Sequence, residues 1–368
     1  MPHAVCRILC FFFAIGILTS SITCQAKAPE TSAEAYILMD ADSGRVLLAQ
    51  NETQEKSIAS TTKIMTAVVA LEHCCLSDVV TVKKSHLKEG SSMYIAEGES
   101  LTMEELLYGL LLPSGNDAAE CIADYCGDGK DHFVTWMNEK ASELGMTHSS
   151  FANPSGLDES GHYSCALDMA HLAAYAMKNP TFARIAGTKT VTAGTRTMGN
   201  HNKLLGSFEG CIGLKTGYTS DAGRTLVTCA ERDGLRLIAV TLHDSRDWDD
   251  HIALYEYGFA EYHRHCPVKR GEKYAAVAVR GGEATGVGAI AAQSFAYPIS
   301  EEESISVRTE LPKTVHAPVQ KGQKLGELIL LLDNREIGRV DLISNCAVAA
   351  IKEKKTGITE KFLNILMK

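Results

Sequence analysis

Short apolar runs near the start of the chain and again beyond its midpoint predict β-strands. Residues 36–40 and 46–48 flank a turn-forming Asp-Ser-Gly sequence, a pattern that is typical of a β-hairpin. Residues 213–218, 225–230 and 235–242 also look extended, and an Asp-Gly turn joins the last two. Strand pairs therefore lie at both ends of a long intervening region, which predicts one antiparallel sheet built from sequence-distant strands.

The stretch between these strands, from about Ser60 to Asn179, is predicted to be mostly helical. One helix has a clear start at Thr102, where a Thr-Met-Glu-Glu sequence forms a capping box, and Pro113 ends it. A further helix is predicted over residues 249–262. This part of the chain is therefore predicted to be an α/β domain, in which a helical region is inserted between strands of an antiparallel sheet.

The sequence changes in character around Cys266. Beyond it, short β-like runs such as residues 274–279 and 328–332 are separated by glycines and prolines, which predicts a small all-β domain. We therefore expect the α/β domain over residues 29–265 and the all-β domain over residues 267–350.

The two ends of the chain have patterns of their own. Arg7 precedes an apolar run that is too short to cross a bilayer, which predicts a signal peptide over residues 1–26 and hence export. Lipid attachment at Cys24 is a weaker alternative, because the preceding residues fit a lipobox poorly. Residues 352–368 place apolar side chains on one helical face among lysines, which predicts an amphipathic tail and a candidate membrane anchor. Packing of this tail on the all-β domain is the alternative.

Composition limits the function without identifying it. The chain has 368 residues, of which 45% are hydrophobic and 22% charged, as in an ordinary globular protein. A formal net charge of -9 argues against a nucleic-acid partner, because such partners usually need a basic patch. Nine of the twelve cysteines lie beyond the signal peptide, and an odd number cannot all pair within one chain. We expect most of these nine to be buried thiols.

The first chemical motif is an S-x-x-K sequence at the start of an apolar helical run. Ser60 and Lys63 share one face of the predicted helix, whose first turn adds a positive dipole. A serine becomes a useful nucleophile when a base lies within hydrogen-bonding reach, and burial or a neighbouring cation can make lysine that base. Taken alone, Ser60 is better explained as a helix N-cap than as a nucleophile. The second match, Ser85 to Lys88, is interpreted as a charged surface segment.

The second motif, S-x-N, follows Pro113 in a predicted loop between two helices. The hydroxyl of Ser114 can relay a proton there, and the amide of Asn116 can both donate and accept a hydrogen bond. Ordinary turn chemistry with a helix start at Asn116 explains the same residues, so this motif by itself does not decide between the two.

The third motif, K-T-G, lies on a predicted strand. Lys215 and Thr216 at a strand edge can hold a carboxylate, and Gly217 lets a substrate backbone approach closely. A second K-T-G at residues 355–357 lies in the basic tail, where no strand is predicted, so we reject it.

The three motifs in this order match the set found in penicillin-binding proteins and class A β-lactamases, with Gly115 in place of the usual aspartate. The chain resembles the low-molecular-mass D-alanyl-D-alanine carboxypeptidases of the penicillin-binding type, also through residues 153–158 and 161–164. The resemblance is strong over about residues 30–265. It implies a penicillin-binding/β-lactamase-like transpeptidase fold for the α/β domain.

The resemblance also implies a role for each motif residue. Ser60 would form the acyl-enzyme, Lys63 would be the base that activates it, and Ser114 would pass a proton to the departing D-alanine. The residues implied to bind the substrate are Asn116, Lys215, Thr216, Gly217 and Tyr218. Backbone N–H groups of Ser60 and Tyr218 would form the oxyanion hole, and Arg246 would support binding of the terminal carboxylate.

The implied substrates are peptidoglycan stem pentapeptides, which would lose their terminal D-alanine at the extracytoplasmic face of the cell membrane or in the cell wall. β-Lactam antibiotics would be acylating inhibitors. No cofactor or metal is expected, because the clusters at residues 72–75 and 263–266 lack the spacing of a closed tetrahedral site.

Two other functions stay open. A class A β-lactamase needs a glutamate for deacylation, usually in an E-x-x-L-N motif, and the one match here lies in the tail at residues 360–364. A non-catalytic penicillin-sensing or wall-binding protein would use the groove for recognition alone. The intact Ser60 and Lys63 argue against that alternative.

Overall fold

The computed structural model describes residues 27–352. The signal peptide predicted over residues 1–26 lies outside this range, and so does the tail apart from Lys352. Within the described range, no helix is both long enough and apolar enough to cross a bilayer.

The described helices and strands form an α/β part followed by an all-β part. The helices are α1 (Lys63–His73), α2 (Met103–Leu111), α3 (Asn116–Cys126), α4 (Lys130–Glu143), α5 (Ala166–Met177), α6 (Pro180–Ala186), α7 (Leu204–Ser207) and α8 (Asp247–Glu261). The strands of the α/β part are β1 (Ala35–Asp40), β2 (Val46–Gln50), β3 (Val79–Thr81), β4 (Ser100–Thr102), β5 (Thr190–Ala193), β6 (Arg196–Gly199), β7 (Cys211–Thr219), β8 (Gly223–Arg232) and β9 (Leu235–Leu242). Those of the all-β part are β10 (His263–Val268), β11 (Lys273–Arg280), β12 (Gly286–Ala291), β13 (Phe295–Ile299), β14 (Ile305–Glu310), β15 (Thr314–His316), β16 (Lys324–Leu332) and β17 (Arg335–Ser344).

A five-stranded antiparallel sheet in the order β2-β1-β9-β8-β7 organises the α/β part. Strand β1 pairs with β9 from Ala35 opposite Leu242 to Asp40 opposite Leu237, which joins the beginning of this part of the chain to its end. The prediction of one sheet made from sequence-distant strands is confirmed. Strand β7, which contains the K-T-G motif, lies at an edge of the sheet.

Both faces of this sheet are covered, because successive strand residues point to opposite sides. Ile37 and Met39 belong to the hydrophobic core shared with helices α1 to α6, whereas Leu38 belongs to a second core with Leu254 of α8. All six residues of β1 are therefore buried. The helical region thus lies on one face of the sheet and the last helix of the α/β part on the other.

Helix α2 begins as its sequence predicts. The Thr102 hydroxyl accepts a hydrogen bond from the Glu105 backbone at 3.2 Å, and the Glu105 carboxylate accepts one from the Thr102 backbone at 2.8 Å. This capping box satisfies two backbone donors that would otherwise lack partners. The helix predicted over residues 249–262 begins two residues earlier, at Asp247.

The all-β part contains a six-stranded sheet in the order β14-β16-β17-β12-β11-β15 and a two-stranded sheet of β10 and β13. Its pairs are antiparallel except for β11 with β15. Arg45 of the loop between β1 and β2 reaches this part of the chain. Its guanidinium donates 2.6 Å to the Pro298 carbonyl, forms an ion pair with Glu303, and lies within 5.4 Å of the ring centroids of Tyr262 and Tyr297.

The expectation that most of the nine cysteines are buried thiols is wrong. Cys74 and Cys126 form a disulfide between the residue after α1 and the last residue of α3. The thiols that are buried are those of Cys121, Cys165 and Cys229, whereas Cys75 and Cys346 are exposed and Cys211 and Cys266 are intermediate. The pairing depends on the packing of two helices, so it has no local signature in the sequence.

Candidate active site

The backbone around Ser60 is closely packed. Ser60 lies in a single 3-10 turn, Ala59–Thr62, that leads directly into α1. A side-chain carbon on Gly217 of β7 would lie 3.1 Å from the Ser60 nitrogen and 2.4 Å from the Thr225 hydroxyl oxygen. The edge strand can therefore approach the Ser60 backbone this closely because residue 217 has no side chain.

The amine of Lys63 is the centre of the site. Its Nζ lies 2.7 Å from the Ser60 hydroxyl oxygen, 2.8 Å from the Asn116 amide oxygen and 2.6 Å from the Ser155 carbonyl oxygen. The side chain has no exposed surface. Burial and, next, the charge of Lys215 hold the pKa of Lys63 well below its usual range, against a smaller opposing effect of Asp117.

These three contacts match the hydrogen-bonding capacity of a neutral amine. A neutral amine has two N–H donors and one lone pair. The amide oxygen of Asn116 and the carbonyl of Ser155 can only accept, so they use the two donors. The lone pair is then left for the Ser60 hydroxyl, which can donate to it. An ammonium, which has three donors, would fit the same contacts, so it is the lowered pKa of Lys63 that favours the neutral amine, the form that can take the serine proton.

The S-x-N loop brings two further polar groups to the site. Ser114 has a φ of 65°, and its buried hydroxyl makes no hydrogen bond to any of the described residues. Asn116 is the first residue of α3, and its amide nitrogen donates 2.8 Å to the Glu89 carbonyl, which fixes the amide oxygen toward Lys63. Asp117 holds the loop by accepting from the Ser92 hydroxyl at 2.6 Å.

Lys215 reaches the site from β7. Its side chain is 1% exposed, and its Nζ donates 3.0 Å to the Thr216 carbonyl. Burial lowers the pKa of Lys215 to about 7. It is close enough to Lys63 for its charge to contribute to the lowered pKa of that amine.

A cavity of about 510 Å³ opens onto these groups. Five of the predicted site residues line it: Ser60, Ser114, Thr216, Gly217 and Tyr218. The other three, Lys63, Asn116 and Lys215, are buried behind the wall, 3% exposed or less. The structure thus brings all eight predicted residues together, in two layers. No group of three or more metal-ligating side chains occurs within residues 27–352.

The role implied for Arg246 in supporting the terminal carboxylate stays a prediction. The guanidinium of Arg246 lies 3.4 Å from the Asp250 carboxylate and does not line the cavity. Arg224 of β8 lines it instead, together with Asp247 and Trp248 of α8. Sequence reasoning did not find these residues, because neither β8 nor α8 contains a recognisable motif.

Two further contributors come from segments that the sequence singled out without assigning roles. Ser155 supplies the carbonyl that contacts Lys63. The buried imidazole of His162 lies 2.7 Å from the Thr62 hydroxyl, and burial lowers its pKa to about 4. His162 is therefore neutral at physiological pH and adds no charge beside Lys63.

The geometry is that of a serine acyl-transfer hydrolase whose base is a lysine. The D-alanyl-D-alanine carboxypeptidase family matches residues 22–246, and the family of the C-terminal domain of penicillin-binding protein 5 matches residues 262–350. The chain belongs to the D-alanyl-D-alanine carboxypeptidase family. The prediction of a serine-type hydrolase of this class is thereby confirmed.

Individual relatives agree with this assignment over most of the chain. D-alanyl-D-alanine carboxypeptidase DacF of Bacillus subtilis is 31% identical over 88% of this chain and 86% of its own length. DacC of Escherichia coli is 32% identical over 90% and 88%. The crystal structure of penicillin binding protein 5 from Haemophilus influenzae, 29% identical, covers 88% of this chain and 99% of its own with a TM-score of 0.76. The predicted fold class, a penicillin-binding-type α/β domain followed by an all-β domain, is confirmed.

Replacing Lys215 by methionine is expected to raise the pKa of Lys63, because a neighbouring cation is lost. A lysine can act as a base only when it is deprotonated, so the acid limb of the pH–rate profile should move to higher pH. The effect should be present below about pH 7, where Lys215 is charged. The measurement is the acylation rate at saturating β-lactam as a function of pH. Lys189→Met, which removes an exposed lysine, is the control, and an unchanged acid limb in the Lys215 variant would contradict the electrostatic account.

Proposed function

We propose that the protein removes the terminal D-alanine from peptidoglycan stem pentapeptides, through an acyl-enzyme on Ser60. The observation that supports this most directly is the Lys63 amine, 2.7 Å from the Ser60 hydroxyl, with two other partners that can only accept hydrogen bonds. A base in this position can take the serine proton as the hydroxyl attacks the carbonyl between the two D-alanines.

The developing negative charge on that carbonyl needs donors in fixed positions. In this proposal the backbone N–H groups of Ser60 and Tyr218 supply them. The close approach of Gly217 to the Ser60 nitrogen supports it, because that approach brings the two backbone segments to the same end of the cavity. Losing one such donor typically costs about 3 kcal/mol of transition-state stabilisation.

The departing D-alanine must gain a proton as its bond to the acyl group breaks. Ser114 is proposed to pass that proton from Lys63 to the leaving amine. Its hydroxyl lines the cavity and makes no hydrogen bond to another described residue, so it is available to both. Water then takes the place of the leaving amine and hydrolyses the ester, with the proton transfers running in the reverse order.

Substrate binding is assigned to the second and third motifs. The amide nitrogen of Asn116 uses one N–H for the Glu89 carbonyl and keeps its second N–H for a substrate carbonyl. The Thr216 hydroxyl and the nearby charge of Lys215 attract the terminal carboxylate. Tyr218 borders the cavity with 70% of its surface exposed, so it can contact the peptide beyond the reacting bond.

The contacts of Lys63 favour carboxypeptidase activity over efficient β-lactamase activity. The group that reaches it from the segment between the second and third motifs is the Ser155 carbonyl. A carbonyl cannot act as the base that activates a deacylating water. β-Lactams are therefore proposed to acylate Ser60 and to remain bound as inhibitors.

Release of D-alanine from a peptide ending in D-Ala-D-Ala tests the proposal. The purified protein is expected to release it, and Ser60→Ala should abolish release because no acyl-enzyme can form. Ser85→Ala is the matched control, since Ser85 begins the second S-x-x-K sequence and is exposed. Peptide mapping after β-lactam treatment should place the adduct on Ser60. Undiminished release by Ser60→Ala, or an adduct on Ser85, would refute the assignment.

We also propose that the protein is exported and acts outside the cytoplasmic membrane, with the tail as a reversible, salt-sensitive anchor. The support is the sequence pattern of residues 1–26 and 352–368, with an apolar helical face beside several lysines. Fractionation of cells that express the protein with and without residues 352–368 tests the anchor. The full chain should associate with membranes at low salt, the shortened chain should not, and both should release D-alanine. If both forms partition alike, the anchor proposal is wrong.

A further inference from the structure

One wall of the active-site cavity carries two cationic side chains that the three motifs do not explain. This wall is formed by Lys203, Arg224, Asp247 and Trp248, and it lines the same cavity as Ser60 and Thr216. Lys215, the cation of the K-T-G motif, is not on the cavity surface. Its side chain is 1% exposed, and its Nζ donates to the Thr216 carbonyl. A substrate carboxylate in the cavity therefore meets Arg224 and Lys203 before it meets Lys215.

The register of β7 and β8 places Arg224 on the same side of the sheet as the Thr216 hydroxyl. Tyr218 lies directly opposite Arg224 in the antiparallel pair, so their side chains share a face. Residues two apart in a strand also share a face, which adds Thr216 to that group. Lys215 and Gly217 face the other way, toward Lys63 and Ser60.

Arg224 is held in one orientation by its partners. Its Nε and Nη2 atoms donate to the Asp247 carboxylate at 2.7 to 3.0 Å, and the Asp247 side chain is 4% exposed. The guanidinium carbon lies 5.8 Å from the centroid of the Trp248 ring. The Nη1 amino group takes no part in this ion pair, and 43% of the Arg224 side chain is exposed. One edge of the guanidinium is thus fixed to the protein while the other is available to the cavity.

Other cationic candidates near the cavity fit a carboxylate less well. Arg246 is turned toward Asp250. His201 lines the cavity, but burial and the charge of Lys215 lower its pKa, so it is neutral at physiological pH. Lys203 lies beside Trp248, with its Nζ 6.0 Å from the ring centroid. It adds positive charge to the wall without the planar fork that matches a carboxylate.

We propose that Arg224 is the specificity-determining residue that receives the terminal carboxylate of the substrate, together with the Thr216 hydroxyl. Asp247 is a positioning residue that aims the guanidinium. The inference rests on the proposed function and adds to that function a reason why the enzyme would require a free carboxyl end. A peptide that continues beyond the second D-alanine, or that ends in an amide, offers no negative charge to this site.

The test compares two peptides that differ only at the end, one with a free terminal D-alanine and one with D-alaninamide. In Arg224→Ala, kcat/KM for the free acid should fall about 10- to 100-fold, the range for losing a charged hydrogen-bond pair. Turnover of the amide should change by no more than about twofold. Arg224→Lys should fall in between, because an ammonium cannot hold Asp247 and the carboxylate with the same fork. Arg232→Ala is the matched control, since Arg232 lies on the same strand and pairs with Glu256 of α8.

Binding to the Ser60→Ala protein separates this inference from the proposed reaction. The ratio of the dissociation constants for the amide and the acid, measured by calorimetry, should be about 10- to 100-fold smaller in Ser60→Ala/Arg224→Ala than in Ser60→Ala. An unchanged ratio, or equal weakening of both peptides, would overturn the role of Arg224 even if D-alanine is released normally. If Arg224→Ala does not fold, the same ratio in Arg224→Lys must fall, or the inference is wrong. Absence of D-alanine release by the unmodified protein would instead refute the proposed function.

Discussion

The Lys63 amine has no exposed surface, and it lies within hydrogen-bonding distance of Ser60, Asn116 and Ser155. Removing an ammonium from water costs several kcal/mol unless a counter-charge offsets the cost. No carboxylate is among its hydrogen-bond partners, and the nearby charge of Lys215 adds repulsion. The neutral form is therefore the stable one. The proposed chemistry depends on this burial, because an ammonium cannot take the serine proton.

The fold produces this arrangement because three separate segments of the chain meet at the Lys63 amine. Helix α1 begins with Lys63, helix α3 begins with Asn116, and the segment around Ser155 supplies a backbone carbonyl. The disulfide joins the far ends of the same two helices, so they are linked both at the site and away from it. Gly217 and Gly156 have space for no side chain, because a carbon on either would overlap backbone or side-chain atoms near Ser60. The edge strand and the loop can therefore close on the helix start.

Features set by neighbours in the sequence were predictable, and features set by tertiary packing were not. The capping box of α2 depends on residues three apart, and the hairpin of β8 and β9 depends on an Asp-Gly turn between two apolar runs, so both followed from the sequence. The motif residues were also found, because their spacing is itself the signal. The Ser155 carbonyl is a backbone group, which any residue type provides. Arg224 meets Asp247 because β8 packs against α8, a contact that no local pattern in the sequence indicates.

The pKa of Lys63 tests the account most directly. The protein can be prepared with isotope-labelled lysine side chains, and the signal of Lys63 can be assigned by its absence from the Lys63→Arg variant. Titration by nuclear magnetic resonance should then show that the Lys63 amine is already deprotonated at neutral pH, while exposed lysines titrate near their ordinary value of about 10.4. A Lys63 signal that titrates with the exposed lysines would contradict the account, because the amine beside Ser60 would then be an ammonium under working conditions.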